Sequence, residues 1–185
     1  MEQNIDQLIA DAEAAAKAGD FEQAEKKYLS VLESDPKSAS AHYGLGTIAL
    51  QCNQAEHAHI CLRNAQALEP EAFDIAYNLA HCYHQLGEPR QALLQLQHAT
   101  KFCKADPVFC PLIADFLLRL GEASAAIQLL SRLQVLKPSD QIILARAQAA
   151  LSNWREAVNI LKRLSTVVVD DPKIVNDLAL SLIHI

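Results

Sequence analysis

The chain has 185 residues and a formal net charge of −6, and 51% of its residues are apolar. This length fits one domain or one continuous repeat array, and the apolar share is enough for a sizeable core. A mild negative charge spread along the chain argues against a nucleic-acid partner, which requires a basic stripe to neutralise phosphates. With only five glycines and seven prolines, and with much alanine, leucine and glutamine, the sequence predicts an all-helical protein.

The cysteines and the first residues of the chain indicate its cellular compartment. The five cysteines are an odd number and contain no C-x-x-C pair, which is typical of a reducing environment. The beginning of the chain has no basic stretch followed by an apolar run, as a secretory signal would. No apolar run approaches the ~20 residues that span a membrane. The sequence therefore predicts a cytoplasmic protein without a membrane partner.

The sequence repeats itself with a fixed period of about 34 residues. The alanines that follow a polar turn recur at this interval at Ala24, Ala58, Ala92 and Ala126. Pro36 and Pro70 share the spacing, and Pro138 falls three periods after Pro36. A fixed period of this size indicates a solenoid of helix–turn–helix units, each of which buries its apolar face on its neighbours.

Taken in chain order, the predicted units run over 5–38, 39–72, 73–106, 107–140 and 138–171, with a partial sixth unit over 172–185. The second unit contains Tyr43-Gly44-Leu45-Gly46 in its first helix, and the third contains Tyr77-Asn78-Leu79-Ala80. The fourth unit departs from this pattern, since Pro111 lies in its first helix. The fifth unit aligns only if its first helix is about three residues short.

These residues resemble the tetratricopeptide repeat family. Its first helices carry a large residue followed by Leu-Gly or Leu-Ala, and its second helices carry a small, a large and a small residue, here Ala58, Leu62 and Ala65. The resemblance covers nearly the whole chain. It implies an all-α fold, a right-handed superhelical solenoid of about five helix pairs plus a terminal helix, as a single array over 1–185.

The resemblance also implies a concave groove that is lined by the first helix of each repeat and binds a peptide or a helical segment. The family's ligand-contacting positions, carried onto this chain, make the candidate residues Tyr43, Thr47, Asp74, Tyr77, Asn78, His81, Asp115 and Arg119. Because Asp6, Glu13 and other carboxylates occupy the same face, a neutral or basic segment is the expected ligand. The alternative for these residues is structural: the tyrosines pack between helices and Asn78 braces the next repeat.

No motif for catalysis, a cofactor or a metal is found in the sequence. Glycine-rich phosphate loops, G-x-S-x-G and H-E-x-x-H do not occur. His57 and Cys61 share a helix face, as do His81 and His84, but neither set supplies the four converging ligands of a structural zinc site. We therefore expect no enzymatic activity, no cofactor and no metal.

The sequence thus predicts a protein-interaction scaffold, bacterial in style. Two alternatives stay open. The array could be the targeting module of a larger enzyme, such as a bacterial sulfotransferase or glycosyltransferase, or it could be a self-associating assembly subunit. The apolar residues 178–185 bear on both, because a solenoid end without a polar cap favours either a longer chain or self-association through the C-terminal helix.

Overall fold

The computed structural model describes residues 5–167, 172, 176, 177 and 180. Within this part of the chain there are ten α-helices and no strand, which confirms the predicted all-α class. The chain divides into two compact units, Met1–Phe102 and Cys103–Ile185.

The first unit contains three helix pairs, and each helix packs on the next along the chain. Its helices are α1 Ile5–Lys17, α2 Phe21–Ser34, α3 Ala39–Gln51, α4 Ala55–Leu68, α5 Phe73–Gln85 and α6 Pro89–Phe102. The odd-numbered helices begin at Ile5, Ala39 and Phe73, so their starts are one sequence period apart. The repeat of the sequence is therefore also a repeat of helix positions.

In the second unit the described residues up to 167 form four helices, which are α7 Phe109–Arg119, α8 Ala123–Leu130, α9 Pro138–Ala150 and α10 Trp154–Val167. The predicted shortening of the fifth unit's first helix is wrong, because α9 has 13 residues, as α3 does. The short helix is instead α8, with eight residues. At its end the Ser131 hydroxyl donates to the carbonyl oxygen of Gln128 at 2.7 Å, a local bond that competes with helix continuation.

Small residues allow the helices to approach closely. The alanines that recur once in each period are fully buried at 0% exposure. A β-carbon on Gly46 would lie 2.6 Å from Cγ of Leu62, on the partner helix of the same pair. A β-carbon on Gly44 would collide with the Tyr28 ring, which belongs to α2 of the preceding pair. Glycine at these two positions thus makes room for the large residue that fills each helix crossing.

A residue with left-handed backbone conformation follows each odd-numbered helix. These residues are Gly19, Asn53, Gly87, Gly121 and Ser152, with φ between 56° and 89°. After α1, the Asp20 N–H donates to the Ala15 carbonyl and the Gly19 N–H donates to the Ala16 carbonyl, both at 3.0 Å. This pair of bonds is the Schellman pattern, which satisfies carbonyls that the helix end leaves unpaired.

The predicted partial sixth unit, 172–185, lies for the most part outside the described residues. The predicted self-association through the C-terminal helix falls on the same segment. Of its described residues, Asp177 accepts a hydrogen bond from Nε of Arg146 at 2.6 Å.

A larger side chain at a buried repeat alanine should destabilise the protein. We expect Ala58→Leu to lower the free energy of unfolding by about 1–3 kcal/mol, because the added atoms overpack a fully buried crossing. The matched control is Ala67→Leu, at an exposed position of the same helix. Urea unfolding of both variants checks this, and equal stability of the two would contradict the assigned packing.

Candidate functional site

The first helices of the repeats line one side of the first unit. In this unit α1 contacts α3, and α3 contacts α5. Between them lies an open cavity of about 440 Å³. Its polar lining includes Glu13, Lys17, Tyr43, Thr47, Glu69 and Asp74. Three of the residues that the sequence predicted for the groove, Tyr43, Thr47 and Asp74, are therefore brought together around one cavity.

Tyr43 lines this cavity together with Tyr28 and is half-buried. Its hydroxyl oxygen accepts a hydrogen bond from Nδ2 of Asn78 at 2.8 Å. Burial, together with the negative charge of Asp74, raises the pKa of Tyr43 to about 12, while the bond from Asn78 acts in the opposite direction. The phenol therefore stays neutral at physiological pH and keeps its O–H as a donor.

Asn78 connects the second repeat to the third. Its bond to Tyr43 joins α5 to α3 across 35 positions of the sequence. This contact is the bracing role that the sequence left open as the alternative to ligand binding. A carboxamide has two donor hydrogens and an acceptor oxygen, and the bond to Tyr43 uses one of these donors. Bracing and ligand binding by Asn78 are thus compatible.

Tyr77 and His81 form a ring pair one turn apart on α5. Their ring centroids are 4.8 Å apart in an edge-to-face arrangement, and both residues are half-buried. Edge-to-face contact is a favoured geometry for aromatic pairs and holds both rings in fixed orientations. The pair lies on the helix that also carries Asp74 and Asn78.

Asp115 and Arg119, the other two predicted groove residues, lie on α7 in the second unit. The guanidinium carbon of Arg119 is 4.7 Å from the ring centroid of Phe116, one turn or less along the same helix. This is a cation–π distance, and it ties Arg119 to its own helix. Asp115 and Arg119 do not line the cavity of the first unit, and their contacts are given for the second unit alone.

Acidic side chains outnumber basic ones around the cavity. Glu13, Glu69 and Asp74 line it together with Lys17. Lys17 Nζ lies 3.9 Å from a Glu13 oxygen, but both side chains are more than half exposed, so solvent screens this pair strongly. Glu69 was missed by the sequence analysis, because it follows α4 and is not at a first-helix position. The lining therefore carries an excess of negatively charged side chains.

Thr47 is held by its own helix. Its hydroxyl donates to the carbonyl oxygen of Gly44 at 2.8 Å. This bond fixes the rotamer of the side chain. Because it uses the hydroxyl hydrogen, the lone pairs of the oxygen remain available to accept a hydrogen bond from a ligand.

Two further features of the described residues concern metals and membranes. No three histidine, cysteine, aspartate or glutamate side chains are grouped so as to hold a metal ion in the part of the chain that is described. No described helix is long and apolar enough to cross a membrane.

The raised pKa of Tyr43 predicts a loss of stability at high pH. The fold favours the neutral phenol, whereas an unfolded tyrosine loses its proton near its ordinary pKa of 10. The contribution of Tyr43 to the free energy of unfolding should therefore be constant below about pH 10 and fall from there toward pH 12. Denaturant unfolding at several pH values tests this against Tyr43→Phe, in which this part of the fall should be absent. An identical slope in both proteins would contradict it.

The chain is similar to one known family of repeat proteins. Two models of the tetratricopeptide repeat match it, one over residues 9–58 and the other over residues 73–106. The chain is a tetratricopeptide repeat protein. The predicted family is therefore confirmed, and the tetratricopeptide repeat makes the chain a protein-interaction scaffold in general terms.

Several solved structures have the same fold. YrrB, described as a tetratricopeptide repeat protein with an unusual peptide-binding site, shares 20% identity at a TM-score of 0.72, over 91% of this chain and 89% of its own. A tetratricopeptide repeat protein from Parabacteroides merdae shares 18% identity at a TM-score of 0.77, over 97% of this chain and 73% of its own. PilF of Pseudomonas aeruginosa shares 18% identity at a TM-score of 0.74, over 97% of this chain and 80% of its own. No curated protein matches the sequence significantly.

Proposed function

We propose that this tetratricopeptide repeat protein binds a peptide or helical segment of a partner protein, neutral or basic in character, in the groove of α1, α3 and α5. The observation that carries this proposal is the cavity of about 440 Å³ between these helices, lined by Tyr43, Thr47 and Asp74. Its volume is in the range of roughly 300–1,000 Å³ that is usual for small-ligand sites.

The chemistry of the lining supports a peptide as the ligand. Tyrosine combines a large apolar ring with a polar tip and is enriched in protein interfaces. The neutral Tyr43 hydroxyl can donate to a peptide carbonyl, and the Asn78 amide can offer a further donor and an acceptor to a peptide backbone. The Tyr77–His81 ring pair adds apolar surface on the same helix.

The charge of the lining supports a neutral or basic segment. Three carboxylates, from Glu13, Glu69 and Asp74, face one ammonium group, from Lys17. A lysine or arginine of the partner would meet attraction there, and an acidic segment would meet repulsion. YrrB, a protein of the same fold, is described as having a peptide-binding site, which supports a peptide as the class of ligand.

Other sequence predictions stay predictions. They are the boundaries of the five units in a single array, the cytoplasmic location, the bacterial style and the absence of catalysis. The tetratricopeptide fold is typically non-catalytic, which supports the last of these. The assignment of Asp115 and Arg119 to ligand binding likewise stays a prediction from their positions in the repeat.

The experiment that tests the proposal begins with the charge of the ligand. Fluorescein-labelled peptides of equal length and apolar content, but with lysine, glutamine or glutamate at their polar positions, are titrated by anisotropy. We expect the lysine and glutamine peptides to bind and the glutamate peptides not to bind, because of the excess of carboxylates. Preferential binding of the glutamate peptides would overturn the proposed ligand class.

Two variants then separate binding from bracing at Asn78, since they share the loss of one hydrogen bond. Tyr43→Phe removes the acceptor and Asn78→Ala removes the donor of the 2.8 Å bond, so each should cost about 1 kcal/mol of stability. If Asn78 also contacts the peptide, adding Asn78→Ala to Tyr43→Phe, in which the 2.8 Å bond is already lost, should weaken binding of the best peptide by about a further 5–10-fold. No further weakening in the double variant would assign Asn78 to bracing alone.

A further inference from the structure

Cys103 and Cys110 form a pair of thiols in the second unit. Cys103 directly follows the last residue of α6, and Cys110 lies in the first turn of α7. Both side chains are buried, with 2% and 0% exposure. Their sulfur atoms are 3.5 Å apart. The pair could not be predicted from the sequence, because a C-x-x-C spacing is absent and the approach of the sulfurs depends on the turn between them.

The turn between the two cysteines is held by Asp106. One carboxylate oxygen of Asp106 accepts from the N–H groups of the two residues before Cys110, both at 2.8 Å. The Asp106 N–H donates to the Cys103 carbonyl at 3.2 Å, and the Cys110 N–H donates to the Asp106 carbonyl at 3.0 Å. Lys104 adopts a left-handed conformation with φ of 52°. These bonds bring the ends of the turn together and place the thiols side by side.

The distance between the sulfurs is close to what a covalent bond requires. A disulfide has an S–S length of about 2.05 Å, so the sulfurs need to approach by about 1.5 Å, a movement within the reach of side-chain rotation. Other cysteines have different surroundings: the thiol of Cys82 donates to the Ala55 carbonyl at 3.1 Å, and Cys52 is exposed.

We propose that Cys103 and Cys110 are a site of reversible oxidation, at which a small peroxide converts the two thiols into an intrachain disulfide within the segment 103–110. In the first step one thiolate attacks an oxygen of hydrogen peroxide, the O–O bond breaks, and sulfenic acid and water form after proton transfer. In the second step the other thiol attacks the sulfenic sulfur and expels a second water. The two thiols thus lose two electrons to the peroxide, and two waters are produced.

The surroundings of the pair set the rate of this reaction. Burial, together with the neighbouring Cys110 thiol, raises the pKa of Cys103 to about 12. Since the thiolate is the reacting form, attack by Cys103 on peroxide is slow at neutral pH. The burial of both thiols also restricts the access of peroxide, so we expect the pair to require more oxidant than the exposed Cys52.

Peptide mapping of the 185-residue protein tests the proposal directly. The reduced protein is treated with hydrogen peroxide, catalase is added, and the remaining thiols are alkylated in denaturant at acidic pH. Trypsin cleaves after Lys101, Lys104 and Arg119, so Cys103 and Cys110 fall on separate peptides, 102–104 and 105–119. We expect these two peptides to be joined, with a mass two hydrogens below their sum, as the main disulfide, and we expect dithiothreitol to release them.

The controls are the unfolded chain and a variant. In urea, where the turn is lost, the linkage of 102–104 to 105–119 should no longer dominate over other pairings. Cys110→Ala should yield no disulfide at Cys103, and if this variant does not fold, the comparison of folded and unfolded wild-type protein decides alone. The proposal is overturned if Cys103 and Cys110 remain alkylatable after peroxide has fully oxidised the exposed Cys52. It is also overturned if the two peptides are joined no more in the folded than in the unfolded chain.

Discussion

Replacing Leu62 with alanine should lower the free energy of unfolding by about 2–5 kcal/mol. Leu62 has 0% exposure and belongs to a core cluster with Ile75 and Leu79 of the following repeat. Its side chain also fills the space left by Gly46 on the partner helix. Truncation therefore opens a cavity between two repeats at once, and a stack of this kind is stabilised mainly by such contacts between neighbours.

The matched control is Ile60→Ala on the same helix. Ile60 is 57% exposed, and alanine is the better helix former, so this change should alter the stability by less than about 1 kcal/mol. Urea unfolding followed by circular dichroism measures both variants. Similar losses in the two would mean that the packing between the second and third repeats is not as described.

The second large effect concerns ligand binding. Alanine at Tyr77, Asn78 and His81 together should abolish capture of the best-binding peptide, since aromatic anchors commonly cost about 2 kcal/mol or more each when truncated. The same variant should also lose about 1–3 kcal/mol of stability, because the hydroxyl of Tyr43 loses its 2.8 Å partner and the contact between the Tyr77 and His81 rings is removed. Anisotropy titration and thermal unfolding are measured on the same preparation.

A control variant separates the two losses. Tyr83 lies on the same helix and is half-buried, but it is not among the predicted groove residues, and its hydroxyl contacts Nε2 of His59 on α4 at 3.1 Å. Tyr83→Ala should therefore lower the stability without weakening peptide binding. A triple variant that is folded and still binds like the wild-type protein would refute the proposed groove.

The fold could be predicted from the sequence because one period governs it. Small residues such as Ala58 recur once in each period, and each must be small because two helices cross there. The length of α8 could not be predicted in the same way. Its end at Leu130 follows from local bonds and tertiary contacts, and intrinsic helix propensity is too weak to reveal either.

The candidate site was predictable in its location but not in its contacts. Sequence positions alone assign Tyr43 and Asn78 to the first helices, yet their hydrogen bond depends on the angle at which α3 and α5 pack. Glu69 and Cys103 lie between helices, and Cys110 is not at a ligand-contacting position of the repeat, so the repeat pattern carries no information on their contacts. These residues are placed by the turns that connect helices.

The close approach of Tyr28 to Gly44 links two positions in any change of sequence. Because a β-carbon at position 44 would enter the Tyr28 ring, an alanine there is tolerated only once the ring has been replaced by something smaller. The reverse change, loss of the ring alone, leaves an unfilled space beside a glycine. Either single substitution at the junction of the first two repeats should therefore give a less stable protein. We expect positions 28 and 44 to change together in related sequences.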